Sequence, residues 1–582
     1  MPSCDRGTRR TNLVIAALIA AGTLGLLSAT LSDYGMAWDE GFTVEREQRL
    51  QEWFARIFGD GSQRNRAWAP RLSKLEPRAA YVSRAGLDAD SPWSRESLRF
   101  YWPFAREEPN GHPPFYALLG LASWAATRHF LSPLDSYRFG PAALFSVTVG
   151  VVYNLMARSY GRIAAVVAAL GLLAMPRVFA HAHLASYDAP TLSLWFLAIA
   201  AFLRSVEPTP LGGPRWGWMV AFGIAWGCAV ATKFTGWFLP FPIACWVVLY
   251  RDRSGARSLG LGALVAAVVV YALNPTWWSE PITGLRVLFE SNLSREQLKP
   301  IPTLFFGRLY RFALPWYNTL ALTMIVVPPA TLGLALLGVW RVISRRLGDR
   351  VGTMLLGCWA FFMVLRALPN APGHDGERQF LAGFVFLACL SGLGSTVIQA
   401  WLERVASHRV ALTLTIATVT VTLGAGALST WRYHPLQLSY YNSLIGGLPG
   451  AYRAGMEPTF YWDAVTPDVR AWLNEHTEPG DSVEFAFPAV TFEYLHVWGL
   501  LRPSPLSGSG RPPRWYVVMN RPGLLRYYPN GLGQYLLDHG QAVYVKSLSV
   551  APDVPLIAIY RGEEALAANR MLKRSEKKPD AP

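Results

Sequence analysis

Residues 12–41 read NLVIAALIAAGTLGLLSATLSDYGMAWDEG. The first part, Asn12 to Leu31, carries no charge. At 1.5 Å per helical residue it reaches about 30 Å, the thickness of a bilayer's hydrocarbon core. Arg6, Arg9 and Arg10 precede it, which keeps the N-terminus cytoplasmic. The apolar run is longer than a signal-peptide core, so it predicts an uncleaved first membrane helix. The acidic pair Asp39-Glu40 then falls at the outer face.

Further apolar stretches follow at 113–131, 138–157, 163–180, 189–205, 216–232, 236–251, 257–273, 319–341, 351–368, 380–398 and 409–429. Charged types make up only 16% of the 582 residues, against roughly 25% in soluble proteins. Together with 23 Trp, this predicts a polytopic α-helical membrane protein and excludes a disordered chain, a disulfide scaffold and a conventional soluble enzyme. The net charge of +15 does not argue for nucleic acid, because the arginines cluster at the ends of apolar runs, where topology explains them. The five cysteines end at Cys389, so no disulfide frame is expected after it.

The arginines also set a parity test. If 113–131 spans, Arg251, Arg253, Arg257, Arg341, Arg345, Arg346 and Arg350 fall outside. If it is re-entrant or lies on the outer surface, those clusters fall inside with Arg158/Arg162, Arg204/Arg215 and Arg404/Arg409. Pro113-Pro114 at its start and Pro133 after its end favour the second case. The expectation is eleven spans within a range of 11–13, in a plasma membrane, with the C-terminus extracytoplasmic.

Three pieces then lie outside. In 32–112, Val44, Leu50, Trp53, Phe54, Ile57 and Phe58 recur at helical spacing, predicting an interfacial amphipathic helix. In 274–318, Trp277 and Trp278 read as interfacial anchors. Residues 430–582 have a helix-like 465–476 and strand-like 482–487, 514–519, 542–547 and 555–560. They predict a small α/β domain with a disordered charged tail from Lys573. The expected division is thus a membrane domain, 1–429, and an extracytoplasmic domain, 430–582.

Five places could carry chemistry. Asp39-Glu40 offers a general base with an orienting acid, or an ordinary helix start. Asp188, two residues before Pro190, offers a second carboxylate on the same face, or an N-cap. His112, before Pro113-Pro114, can bind a phosphate or a metal, or be a capping or interfacial histidine. Lys233 is the only lysine between residues 75 and 298; it can meet a lipid phosphate or snorkel to water. In His374-Asp375-Gly376-Glu377-Arg378, Arg378 is a fork suited to phosphate or carboxylate, or one half of a surface pair with Glu377. His181 and His183 do not share a helix face, so no metal site is expected.

In this order, these pieces resemble the family 39 glycosyltransferases of the GT-C class, which include protein O-mannosyltransferases and the lipid A aminoarabinose transferase. The matching residues are Asp39-Glu40, His112 to Pro114, Asp188 to Pro190, Lys233 to Gly236, Arg378 to Leu381 and Tyr440 to Ala451, followed by Tyr461-Trp462. The resemblance covers about residues 10–480. It implies an enzyme of the extracytoplasmic face that moves a sugar from a polyprenyl-phosphate donor to a hydroxyl of a glycan, lipid or protein, with inversion.

Carried over, Asp39 is the base, Glu40 its orienting partner and Asp188 a second acid. Lys233, Arg378 and more weakly His112 meet the donor phosphate, and His374 and Asp375 line the substrate site. The resemblance implies no obligatory cofactor; a divalent metal is permitted but not called for. Membrane lipid is a partner; nucleic acid is not. The sequence lacks the repeated insert of the protein O-mannosyltransferases. The alternative is a transporter of a polyprenyl-linked sugar, which is expected to show inverted repeats and midplane charges; neither is evident.

Overall fold

The computed structural model describes residues 6–58, 91–104, 112–209, 213–294, 301–346, 348–487, 490–505, 512–527 and 530–576. A helix occupies each of the eleven expected spans. The helices are Arg6–Thr30, Pro133–Tyr160, Arg162–Leu173, Asp188–Ser205, Trp216–Val230, Pro240–Tyr250, Arg253–Ala272, Pro329–Ser344, Arg350–Leu365, Gly383–Val405 and His408–Arg432. Five helical segments, Gly7–Asp33, Pro133–Tyr160, Arg253–Ala272, Gly383–Val405 and His408–Arg432, are long and apolar enough to cross a membrane unaided. Several shorter ones begin with proline, at Pro176, Pro240 and Pro329. There the missing N–H costs nothing and the fixed φ starts the helix.

The stretch at 113–131 forms the helix Phe115–Thr127, only 13 residues long. At its start Phe115 N–H donates to Ala231 O at 2.7 Å, two residues before Lys233. Near its end Ser123 Oγ donates to Ser136 O at 2.7 Å, two residues before Arg138. Both ends therefore lie at the same end of the bundle, so this helix lies across that end and does not run through the bundle.

The amphipathic helix is Trp38–Phe58. It does not lie free in an interface. Val44, Leu50 and Trp53 are buried, but so are Glu40, Glu45, Glu47 and Arg49. One side packs on Phe115–Thr127 and another on Val490–Val497 of the C-terminal part. At Gly41 a Cβ would meet Thr491 N at 2.5 Å, so only glycine lets these two backbones approach. In 274–318, Trp277 is buried with Val230, Val270 and Leu288, and of the two tryptophans Trp278 alone faces outward. The paired-anchor expectation is corrected accordingly, because Trp277 fills a core.

The C-terminal part has a four-stranded sheet in the order Val483–Phe485, Trp515–Met519, Ile557–Arg561, Tyr544–Lys546. The first pair is parallel, with Val483 opposite Trp515, and the other pairs are antiparallel. Trp515–Met519 is buried at all five positions, as a central strand between two neighbours should be. The last helix, Gly562–Glu576, runs past Lys573, so Lys573 does not begin a disordered tail; residues 577–582 lie outside the described residues. Residues 437–463 pack into the bundle: Asn442 N–H donates to Ile325 O at 2.8 Å, and Trp38 N–H to Tyr461 O at 2.8 Å.

Candidate active site

The first helix ends at Thr30, and the chain turns to place Asp39 at the start of Trp38–Phe58. Glu40 fixes that turn. Its Oε2 accepts from Ala37 N at 2.7 Å and from Arg138 Nη2 at 2.8 Å; its Oε1 accepts from Arg138 Nε at 2.8 Å and from Ala185 N at 2.8 Å. Arg138 spends its other N–H groups on the carbonyls of Leu31, Tyr34 and Gly35. Both side chains are fully buried. Glu40 therefore ties the Asp39 turn to the segment just before Asp188, and all four donors are protein groups.

Asp39 faces the other way. Its Oδ2 accepts from Tyr187 OH, from Tyr461 OH at 2.7 Å and from Arg378 Nη2 at 2.6 Å. Its Oδ1 has no partner among the described residues, and the side chain is 19% exposed. Asp188 begins its helix and is buried. Lys233 Nζ donates to its Oδ1 at 2.7 Å, and Arg378 Nε stands 2.9 Å from its Oδ2. Tyr461 OH spans the two aspartates, 3.4 Å from Asp188 Oδ2.

Arg378 is the hub. Besides Asp39 and Asp188 it holds Asp375 Oδ2 at 2.8 Å through Nη1, and its guanidinium lies 4.1 Å from the Tyr461 ring centre. Arg521, from the turn after the central strand of the C-terminal sheet, reaches Asp375 Oδ1 at 2.8 Å. Lys233 is neither at bulk water nor snorkelled. It is buried, 5.1 Å from the Tyr187 ring centre. Burial pushes its ammonium down to about 8, against the opposing pull of Asp188. Asp375 is held well below the usual carboxylate range by Arg521 and Arg378, which outweigh burial.

His112 is buried with its ring against Tyr187, centroids 3.6 Å apart. His374 Nε2 sits 3.3 Å from Gln379 Nε2 and 4.0 Å from Asp375 Oδ2. The surface pairing of Glu377 with Arg378 is not formed. Glu377 is buried against Arg177 at 2.5 Å, which leaves Arg378 to face the aspartates. His181 and His183 diverge, the first toward Glu377, the second onto Thr30 Oγ1 at 2.8 Å and Phe179 O at 2.7 Å. Among the described residues no group of three or more His, Cys, Asp or Glu is arranged to hold a metal ion.

Asp39, Asp188, Asp375, Lys233 and Arg378 thus converge from separate parts of the chain. Tyr187, Tyr461 and Arg521 join them. Tyr461 and Trp462 both have left-handed backbones, φ 65° and 58°. Non-glycine residues in that region cost of order 1–3 kcal/mol each, so the surrounding packing holds this turn in place.

Residues 111–278 match the family described as dolichyl-phosphate-mannose-protein mannosyltransferase. The chain resembles that family. The matched stretch contains His112, Asp188 and Lys233; Asp39 and Arg378 lie outside it. Among solved structures, ArnT from Cupriavidus metallidurans bound to undecaprenyl phosphate is 15% identical, covering 93% of this chain and 97% of its own, with a TM-score of 0.46. The archaeal oligosaccharyltransferase AglB from Archaeoglobus fulgidus, in complex with an inhibitory peptide and a dolichol-phosphate, is 13% identical, covering 92% of this chain and 71% of its own, with a TM-score of 0.49. No curated protein matches the sequence.

Proposed function

We propose that this chain is an integral membrane glycosyltransferase that moves a sugar from a polyprenyl-phosphate donor to an acceptor hydroxyl on the extracytoplasmic face. The observation that carries this reading is Asp39. It is a carboxylate oriented through Oδ2 by three donors, with Oδ1 open, at the same end of the bundle as Lys233 and Arg378. The family match over residues 111–278 supports the reaction class.

In this reading the acceptor O–H proton passes to Asp39 Oδ1 as the acceptor oxygen bonds to the anomeric carbon. The bond from that carbon to the phosphate oxygen breaks, and its electron pair leaves with the polyprenyl phosphate. A base so placed is worth roughly 10²–10⁴-fold. Charge builds on the departing phosphate, where Lys233 and Arg378 stabilise it. One displacement with no covalent intermediate predicts inversion at the anomeric carbon. Asp188 serves as the counter-charge that keeps Lys233 in place. No cofactor is needed for these steps. The acceptor is a glycan, a lipid or a protein.

Membranes carrying the full chain are to be incubated with a panel of radiolabelled polyprenyl-phosphate sugars, and the product's anomeric configuration read by NMR. Transfer with inverted configuration is expected for one donor. Absence of transfer with every donor, together with movement of a donor lipid across the bilayer, would overturn the enzyme in favour of a transporter.

A further inference from the structure

The cations of the site are already matched by carboxylates. Asp375 makes the match in a particular way: one oxygen faces Arg378 Nη1 at 2.8 Å and the other Arg521 Nη2 at 2.8 Å. A two-oxygen anion bridging two guanidiniums has the bite of a phosphate. Arg521 is 1% exposed, yet its Nε, Nη1 and Nη2 make no aligned hydrogen bond. Its stacked position over Trp462, 4.4 Å to the centroid, holds the guanidinium in place without using those N–H groups.

Other contacts aim it. The strand Trp515–Met519 delivers it, and Asn520 N–H donates to Leu556 O at 2.9 Å. Glu457 Oε1 accepts from Gly523 N at 3.1 Å and from Leu304 N at 2.8 Å, joining the turn after Arg521 to the short strand Thr303–Phe305. Asp375, by contrast, sits on a turn where it and Gly376 both have φ of 62°, a conformation that L-residues rarely adopt.

We propose that Arg378 and Arg521 form a clamp for a phosphate group, that the Asp375 carboxylate is its internal stand-in, and that the C-terminal domain thereby supplies part of the active site. The inference rests on the polyprenyl-phosphate reading. A sugar-phosphate-lipid diester carries one negative charge, and the phosphate that leaves carries more. The clamp therefore holds the leaving group more strongly than the donor, and removing Arg521 lowers kcat as well as raising KM.

The test uses the full chain in lipid nanodiscs and measures binding of undecaprenyl phosphate, with undecaprenol and inorganic phosphate as comparison probes. Arg521→Gln is expected to bind undecaprenyl phosphate roughly ten- to hundredfold more weakly than wild type, the worth of a hydrogen bond to a charged group. Arg521→Lys falls between. Asp375→Asn, which leaves Arg521 intact, binds more tightly than wild type because the stand-in has lost its charge.

Equal binding by wild type and Arg521→Gln, or weaker binding by Asp375→Asn, would overturn the clamp and leave the functional reading standing. Equal binding of undecaprenol and undecaprenyl phosphate by wild type would also overturn it. Arg521-dependent binding of inorganic phosphate without any binding of the lipid phosphate would keep the clamp and overturn the polyprenyl reading. Binding of neither probe by wild type overturns both.

Discussion

The two ends of the helix bundle carry charge in opposite styles. At the end described above, Asp188, Lys233, Arg378, Asp375 and Arg521 are each no more than 6% exposed and meet at 2.7–2.9 Å. At the other end, Glu207 gathers Arg158, Arg204 and Arg215, and Arg350 pairs with Asp252 while 47% exposed. Asp188 and Arg204 begin and nearly end one 18-residue helix, so about 25 Å separates the two environments.

Arg158, Arg215 and Arg350 at this end are partly open to solvent, while Arg204 is 9% exposed and held by Glu207. Their number at helix ends is accounted for by orientation across a membrane, and we propose that this end is cytoplasmic. The dry cluster is different, because desolvation makes every member costly unless its partners are all present. Among the described residues, the network joining Asp188, Asp375, Lys233, Arg378 and Arg521 is the more deeply buried of the two, with every member at 6% exposure or less.

Breaking that contrast should have graded effects. The largest is expected at Arg138→Met, which leaves the Glu40 carboxylate buried with one bidentate partner removed. A loss of about 3–5 kcal/mol is expected, read as a large drop in detergent melting temperature. Adding Glu40→Gln should recover part of it. Lys233→Ala comes next, with a loss of about 3 kcal/mol, smaller because Arg378 still faces Asp188.

A pH series sharpens the same point. With Lys233 brought down to about 8 by burial, transfer should fall as pH rises through about 8. Between there and the usual lysine value of about 10.4, the unfolded chain binds the extra proton. This group's contribution to stability therefore rises with pH in that window. Activity lost without stability lost is the expected signature, checked by parallel transfer and melting curves. The smallest effect belongs to the other end: Arg350→Ala or Arg215→Ala should change stability by less than about 1 kcal/mol. A larger loss there would erase the contrast.

Much of this was legible in the sequence because a charge beside an apolar run is conspicuous. Asp39, Asp188, Lys233 and Arg378 each stand at such a boundary, and parity put them on one face. Tyr461 stood in the resemblance and Tyr187 beside Asp188, but neither was given a role, because tyrosines are common in membrane proteins and neither carries a charge. Arg521 escaped for the opposite reason, being one arginine among many in a soluble domain. Its signal was its position, two residues beyond the fully apolar run WYVVM and directly before Pro522. Glu40 was readable as an acid beside Asp39, but its direction was not. Adjacent helical residues point about 100° apart, and only the fold shows that Glu40 turns inward to Arg138.

The account turns on Asp39, and the most direct measurement is the single-turnover transfer rate of Asp39→Asn against wild type, with donor binding measured on the same samples. The predicted result is donor binding within a few-fold of wild type and a rate at least about a hundredfold lower. An unchanged rate with donor bound would contradict Asp39 as the base.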